Sequence, residues 1–139
     1  MDTKRYTGLI VKSGDKILLG KRNSLSAFPG MWSIFGGKLE ENETTMDGAK
    51  REFFEETGVD VDDKDINFIG LIPRYTRDGY KIKGLMYVYL LDSDIPITPD
   101  LDNAIDGKEH TEWKYFTLNE IDPNTTGEFV YRLAEIILQ

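Results

Sequence analysis

The sequence predicts an α/β sandwich, and three observations lead there. The stretch from Thr45 to Thr57 has helical spacing and recognisable end signals. Short apolar and β-branched runs, separated by Gly, Asp and Asn clusters, lie on both sides of it. A second amphipathic stretch follows the last of those runs. Strands flanking a central helix, with another helix after them, can each bury an apolar face only by stacking in layers.

Taken in order, Tyr6 to Val11 and Ile17 to Leu19, separated by Ser13-Gly14-Asp15, predict an opening hairpin. Asn23 to Gly30 is expected as a loop. Met31 to Phe35 is expected as a strand leading straight into Gly36 and Gly37, two turn residues that also allow close approach to backbone.

Thr44 is placed to cap the helix that opens at Thr45, Asp47 puts a negative charge in its first turn, and Gly58 can close it in a left-handed conformation. At about 100° per residue, Met46, Ala49 and Phe53 share one face and Glu52, Glu55 and Glu56 share another. Packing and chemistry are thereby separated on one cylinder.

Beyond the helix, Ile66 to Tyr75 and Ile82 to Leu91 predict two long strands joined around Arg77-Asp78-Gly79. Asp92 to Gly107, acidic and bearing prolines, is expected as an exposed loop, and Trp113 to Leu118 as a further strand. Glu128 to Leu138 predicts a closing helix that buries Phe129, Leu133 and Ile136.

The chain has 139 residues, enough for one domain with a core, and residues 1–139 are expected to form a single one. Seventeen basic against 25 acidic residues give a net charge of −8, which argues against a long nucleic-acid partner. Small phosphate ligands remain compatible, since a bound cation reverses the local sign. With no cysteine, disulfides and thiolate chemistry are excluded. No run approaches the roughly 18 apolar residues of a membrane span, and the MDTKRYTG start has no apolar leader region; a cytoplasmic protein is expected.

Carboxylates at i, i+3 and i+4 repel, weakening a helix by a few tenths of a kcal/mol per pair. A bare REFFEE string is more often a solvated face than a site. Hard divalent cations remove the repulsion, because Mg²⁺ and Mn²⁺ prefer oxygen ligands and are commonly held by carboxylates together with substrate phosphates.

The full run from Gly37 to Val59 is more specific. Gly37, Glu43, Arg51, Glu52, Phe53, Glu55, Glu56, Gly58 and Val59 match, without a gap, the pattern G-x5-E-x7-R-E-U-x-E-E-x-G-U, in which U is a bulky apolar residue. In these positions the chain resembles the Nudix hydrolases. Phe53 is larger than the aliphatic residue usual at its place. FPGMWSIFGGKLE resembles the MutT-like branch, except that Phe35 stands where that branch commonly has proline.

The resemblance implies an α/β/α sandwich around a mixed sheet and a Mg²⁺-dependent, or Mn²⁺-dependent, hydrolase of phosphoric anhydrides. It further implies that Glu52, Glu55 and Glu56 bind metal, with the carbonyl of Gly36 as another ligand, and that Glu52 orients or deprotonates the water. Arg51 and Glu43 are expected to hold this set in orientation, since an Arg fork fixes carboxylates. A loop acid beyond the helix is also implied, and GKEHTEW offers Glu109 as first choice, as ligand or base, and Glu112 as reserve.

His110, the only histidine, titrates near neutrality and is a tempting base, but an exposed loop residue is the expectation. Arg22 and Lys38 are candidates for substrate phosphates. Phe28, Trp32, Tyr75 and Tyr80 could stack a base, although packing is the commoner use of such rings.

Three readings stay open: cleavage of a nucleoside triphosphate or related nucleotide to monophosphate and pyrophosphate, cleavage of a nucleoside diphosphate linked to sugar, nucleotide or cofactor such as ADP-ribose, and nucleotide sensing without cleavage. The intact glutamate set speaks against the third. A monomer and a homodimer are both compatible with the sequence.

Overall fold

The computed structural model describes residues 4–24, 28–76, 78 and 80–139, with Glu128 described by its backbone alone. Arg77 and Gly79 of the expected turn, and residues 25–27 of the expected loop, lie outside the described residues.

Strands β1 (Lys4–Ser13) and β2 (Lys16–Arg22) form the opening hairpin, with Lys12 opposite Ile17. Two short strands follow, β3 (Trp32–Ser33) and β4 (Phe35–Lys38). Helix α1 spans Thr45–Thr57, and β5 (Ile66–Tyr75) pairs antiparallel with β6 (Ile82–Asp92). Strand β7 (His110–Thr117) pairs antiparallel with β2, and α2 spans Glu128–Ile137. Short 3₁₀ turns occur at Asp63–Asp65, Gly107–Glu109 and Leu118–Glu120.

The seven strands make one mixed sheet in the order β3-β2-β1-β6-β5, with β4 also on β1 and β7 also on β2. Only the β1–β6 pairing is parallel among these, running from Lys4 opposite Gly84 to Lys12 opposite Asp92.

Side-chain alternation along β1 and β2 explains the layering. Leu9, Val11 and Leu18 point to one face, where they meet Ala49 and Phe53 of α1. Ile10, Ile17 and Leu19 point to the other, where they meet Val130 and Ala134 of α2. The result is an α/β/α sandwich with a core on each side of the sheet.

The expected strand at Met31 to Phe35 is instead two pieces, and Gly36 and Gly37 belong to β4 rather than to a turn. A Cβ on Gly36 would lie 2.4 Å from the Thr7 carbonyl oxygen and 2.7 Å from the Gly8 Cα, so glycine lets β4 press against β1.

Helix α1 matches its expected bounds. Thr44 accepts a hydrogen bond from the Asp47 N–H at 3.1 Å, and Gly58, at φ 75°, donates to the Phe54 carbonyl at 2.7 Å. On α2 the buried stripe differs from expectation: Val130 and Ala134 are buried, Leu133 is half-buried, and Ile136 is 74% exposed. Among the described residues no helix is long and apolar enough to cross a membrane.

Candidate active site

The site is assembled where α1, the end of β4 and the turn before β7 meet. A Cβ on Gly37 would fall 2.6 Å from the Glu52 carboxyl carbon, so the missing side chain makes the space that Glu52 occupies. Gly36 N–H faces both carboxylate oxygens of Glu56 at 3.3 Å. One strand of two glycines therefore receives two carboxylates from successive turns of the helix.

Arg51 organises the others. Its Nε donates to Glu43 Oε2 at 2.7 Å and its Nη2 to Glu43 Oε1 at 3.0 Å, while Nη1 reaches Glu52 Oε1 at 3.1 Å and Glu55 Oε2 at 3.2 Å. Nη2 also donates to the Lys38 carbonyl at 3.2 Å, which ties α1 to β4. The hydrogen bond from Arg51 holds the Glu43 carboxyl below its ordinary pKa.

Glu52, Glu56 and Glu109 shift the other way. Burial raises each of them first; neighbouring acids then add to it, Glu109 and Glu52 acting on Glu56, and Glu55 and Glu109 on Glu52. Glu56 is only 1% exposed. Such a cluster of partly desolvated carboxylates is costly unless protons or a cation neutralise it.

Glu109 reaches this cluster because the long segment after β6 is anchored to the end of α1. Asp100 N–H donates to the Thr57 carbonyl at 2.8 Å, and Asp106 N–H to the Glu55 carbonyl at 2.7 Å. These bonds occupy carbonyls that the last helical turn leaves open. Glu112 lies on β7 opposite Lys21 and is exposed.

His110 is not an exposed loop residue. It opens β7, is 4% exposed, and packs with its ring centroid 4.8 Å from that of Phe35. Gly20 makes room for it, since a Cβ there would meet His110 Cδ2 at 2.6 Å. Neither ring nitrogen has a hydrogen-bond partner among the described residues. Burial, with the nearby Arg22 charge, lowers its pKa to about 4.

Beside Gly36 opens a largely apolar cleft of about 490 Å³, which Trp32, Ile72, Met86 and Phe129 help to line. Arg22 lines it too, and its charge acts on Glu56 and Glu109, so it borders the cleft within electrostatic reach of the carboxylates. Lys38 is exposed and is not among the cleft residues. Phe28 and Tyr75 line the cleft, whereas Tyr80 is 88% exposed and does not.

The sequence reading missed Arg74 and Ser33, both in this cleft. Their common signal, a polar residue on an otherwise apolar strand, is too weak to locate a site without the tertiary pairing.

The chain's fold and its glutamate-bearing helix define a Nudix protein. A family model described as NUDIX domain matches residues 2–135, and the chain belongs to that family.

Among relatives, it is similar to an oxidized purine nucleoside triphosphate hydrolase of Mus musculus, 48% identical over 64 residues that cover 45% of this chain and 40% of that protein. It is similar also to an 8-oxo-dGTP diphosphatase of Proteus vulgaris, 38% identical over 64 residues, covering 44% of this chain and 57% of the relative. The chain thus spans about half the length of these curated relatives, at 40% and 57%. In fold it resembles a MutT NUDIX hydrolase from Burkholderia pseudomallei, with a TM-score of 0.78 at 19% identity over 100% of both chains.

Proposed function

We propose that this chain is a divalent-metal-dependent hydrolase of phosphoric anhydride bonds. On this reading it cleaves a nucleoside triphosphate or related small nucleotide to the monophosphate and pyrophosphate. The observation that carries the reading is the convergence of Glu52, Glu56 and Glu109 beside a cleft of nucleotide size, with Arg51 and Glu43 bracing the helix. The names of the two curated relatives, both acting on nucleoside triphosphates, support the same choice.

The donor set fits a hard cation such as Mg²⁺ or Mn²⁺. It is all oxygen, partly desolvated and self-repelling. Among the described residues no group of three or more His, Asp or Glu side chains is arranged closely enough to hold a metal ion as it stands. Glu52, Glu56 and Glu109, with Glu55 and the Gly36 carbonyl, are the groups that would hold it. Bound there, a divalent ion would neutralise phosphoryl oxygens and make water a better nucleophile.

The protein's own part is positional. Glu52, or Glu109 from the turn before β7, accepts the proton of the attacking water, and Arg51 fixes the Glu52 carboxylate so that its direction is set before substrate arrives. Arg22 supplies positive charge at the border of the cleft, within electrostatic reach of the carboxylates, where a phosphate chain would pass. The apolar cleft takes the nucleoside.

A panel of nucleoside triphosphates and diphosphate-linked nucleotides, assayed with Mg²⁺ or Mn²⁺ and resolved by product chromatography, tests the proposal. Monophosphate and pyrophosphate from a triphosphate are expected, with no turnover in excess chelator. Cleavage restricted to diphosphate-linked compounds would redirect the substrate class, and binding without cleavage of any compound would defeat the hydrolase reading.

A further inference from the structure

We propose that Arg74 sets the base specificity of the cleft, selecting a purine with a carbonyl oxygen at position 6 over one with an amino group there. The proposal rests on the reading of the cleft as a nucleoside site.

Arg74 lies on β5 opposite Gly84 and lines the cleft. Its contacts are soft ones: Nη1 is 4.0 Å from the Met86 sulfur, and the guanidinium carbon is 5.1 Å from the Tyr6 ring centroid. No carboxylate among the described residues pairs with it. Burial and the neighbouring Arg22 charge disfavour its charged form, and Tyr6 and the Glu56 carboxylate offset this only in part, with no direct ion pair. A guanidinium keeps several N–H donors in a rigid fork, and neither a thioether nor a ring face satisfies that fork as an oxygen or nitrogen acceptor would.

The rest of the cleft has the same bias. Its described residues include no Asp, Glu, Asn or Gln. Ser33 also lines it, but its hydroxyl is enclosed, without a hydrogen-bond partner. Thr126 already donates its hydroxyl to the Asp122 carbonyl at 3.0 Å. The cleft therefore offers the Arg74 fork as a donor and few acceptors.

A ligand that satisfies it must bring acceptors on a flat apolar body. Tyr75 and Phe129, stacked with centroids 5.9 Å apart and planes at 13°, and Trp32 make walls suited to a ring rather than to a hydrated anion. A 6-oxopurine presents O6 and N7 side by side, the pair that an Arg fork reads in the major groove of DNA; adenine presents an amino donor at the same place. Burying that donor against a guanidinium would leave both unsatisfied.

The test is equilibrium binding of GMP, IMP and AMP, followed by calorimetry or tryptophan fluorescence, which needs no turnover. IMP isolates the 6-position, because it lacks the 2-amino group. The wild-type protein should bind IMP and GMP about tenfold or more tightly than AMP, in line with the discrimination of a bidentate Arg contact. Arg74→Met, which keeps an apolar chain of similar length, should bring the IMP to AMP ratio within about threefold of unity. Arg74→Lys, whose ammonium still donates to O6 or N7 but without the rigid fork, should keep the direction of the preference at a smaller ratio.

Equal binding of IMP and AMP by the wild type overturns the proposal. So does an unchanged ratio in Arg74→Met, or a uniform loss for all three nucleotides, which would assign Arg74 to phosphate. If Arg74→Met does not fold, the wild-type ratio and Arg74→Gln decide, since the Gln amide can donate to O6 or accept from the amino group and should also bring the ratio near unity. A base preference without any hydrolysis would sink the proposed activity and leave this inference standing; hydrolysis without a base preference does the reverse.

Discussion

Arg51 grips both oxygens of Glu43, Nε on one at 2.7 Å and Nη2 on the other at 3.0 Å, so the Arg51 plane is fixed before its remaining nitrogen turns to Glu52. A lysine would keep the charge at this position and lose the fork. Arg51→Lys is therefore expected to lower turnover about 10- to 100-fold and to weaken apparent metal affinity, with the fold kept. Rates measured across a Mg²⁺ titration check this. Wild-type metal dependence in the variant would show that the clamp does not orient the site.

The two adjacent glycines of β4 should fail differently. An alanine Cβ at Gly36 meets the backbone of β1, which cannot move alone, and about 1–3 kcal/mol of stability should be lost. At Gly37 the Cβ meets the end of the Glu52 side chain, which can rotate away. Gly37→Ala should keep its melting temperature within a few degrees and lose turnover by about 10²-fold, since small misplacements of reacting groups are that costly. Melting curves and rates on the two variants separate the effects; matching losses of both quantities in both proteins would contradict the placement of Glu52.

Buried His110 predicts acid sensitivity. Its folded pKa of about 4 is below the unfolded value of about 6.5, so the unfolded chain binds the extra proton first. Stability from the neutral ring is present above pH 6.5 and is lost as pH falls toward 4. Between pH 6.5 and 5 the loss should be about 1.5 kcal/mol, since the slope reaches about 1.4 kcal/mol per unit only once the unfolded ring is mostly protonated. His110→Leu should lose less over the same interval. Urea unfolding at both pH values measures the difference, and parallel losses in the two proteins would show that His110 does not titrate in this way.

Helix α1 was legible because its signals are local: a Thr44 cap, a Gly58 stop and a clean separation of Phe53 from Glu52 and Glu56 around the axis. The long strands were legible from their apolar runs, whereas the break between β3 and β4 within Met31 to Phe35 was not. Helix α2 was placed but its face was misjudged, since Val130, Leu133, Ala134, Ile136 and Ile137 leave several stripes of similar hydrophobicity. The sheet contact that chose Val130 and Ala134 is long-range. His110 was misread for the same reason: its burial depends on Gly20 and Phe35, from distant strands. The cleft draws on β2, β3, β5, β6 and α2, so no spacing along the chain could display Arg74 beside Ser33.

The choice between Glu109 and Glu112 as the loop acid is the remaining test of the site. Glu109 sits at the end of a 3₁₀ turn held to α1 through Asp106 and the Glu55 carbonyl, and its charge acts on Glu56 and Glu52. Glu112 is exposed on β7, where pairing with β2 sets it opposite Lys21, and it is not among the charges that act on Glu52 or Glu56. Glu109→Gln should reduce turnover by about 10² or more, as expected for loss of a general base or a metal-binding charge. Glu112→Gln should stay within about twofold of the wild type, as a surface substitution. Circular dichroism and a Mg²⁺ titration on each protein ensure that a lost rate reflects the site. Activity lost only in Glu112→Gln would reverse the roles, and full activity in both would leave Glu52 as the group that takes the proton from water.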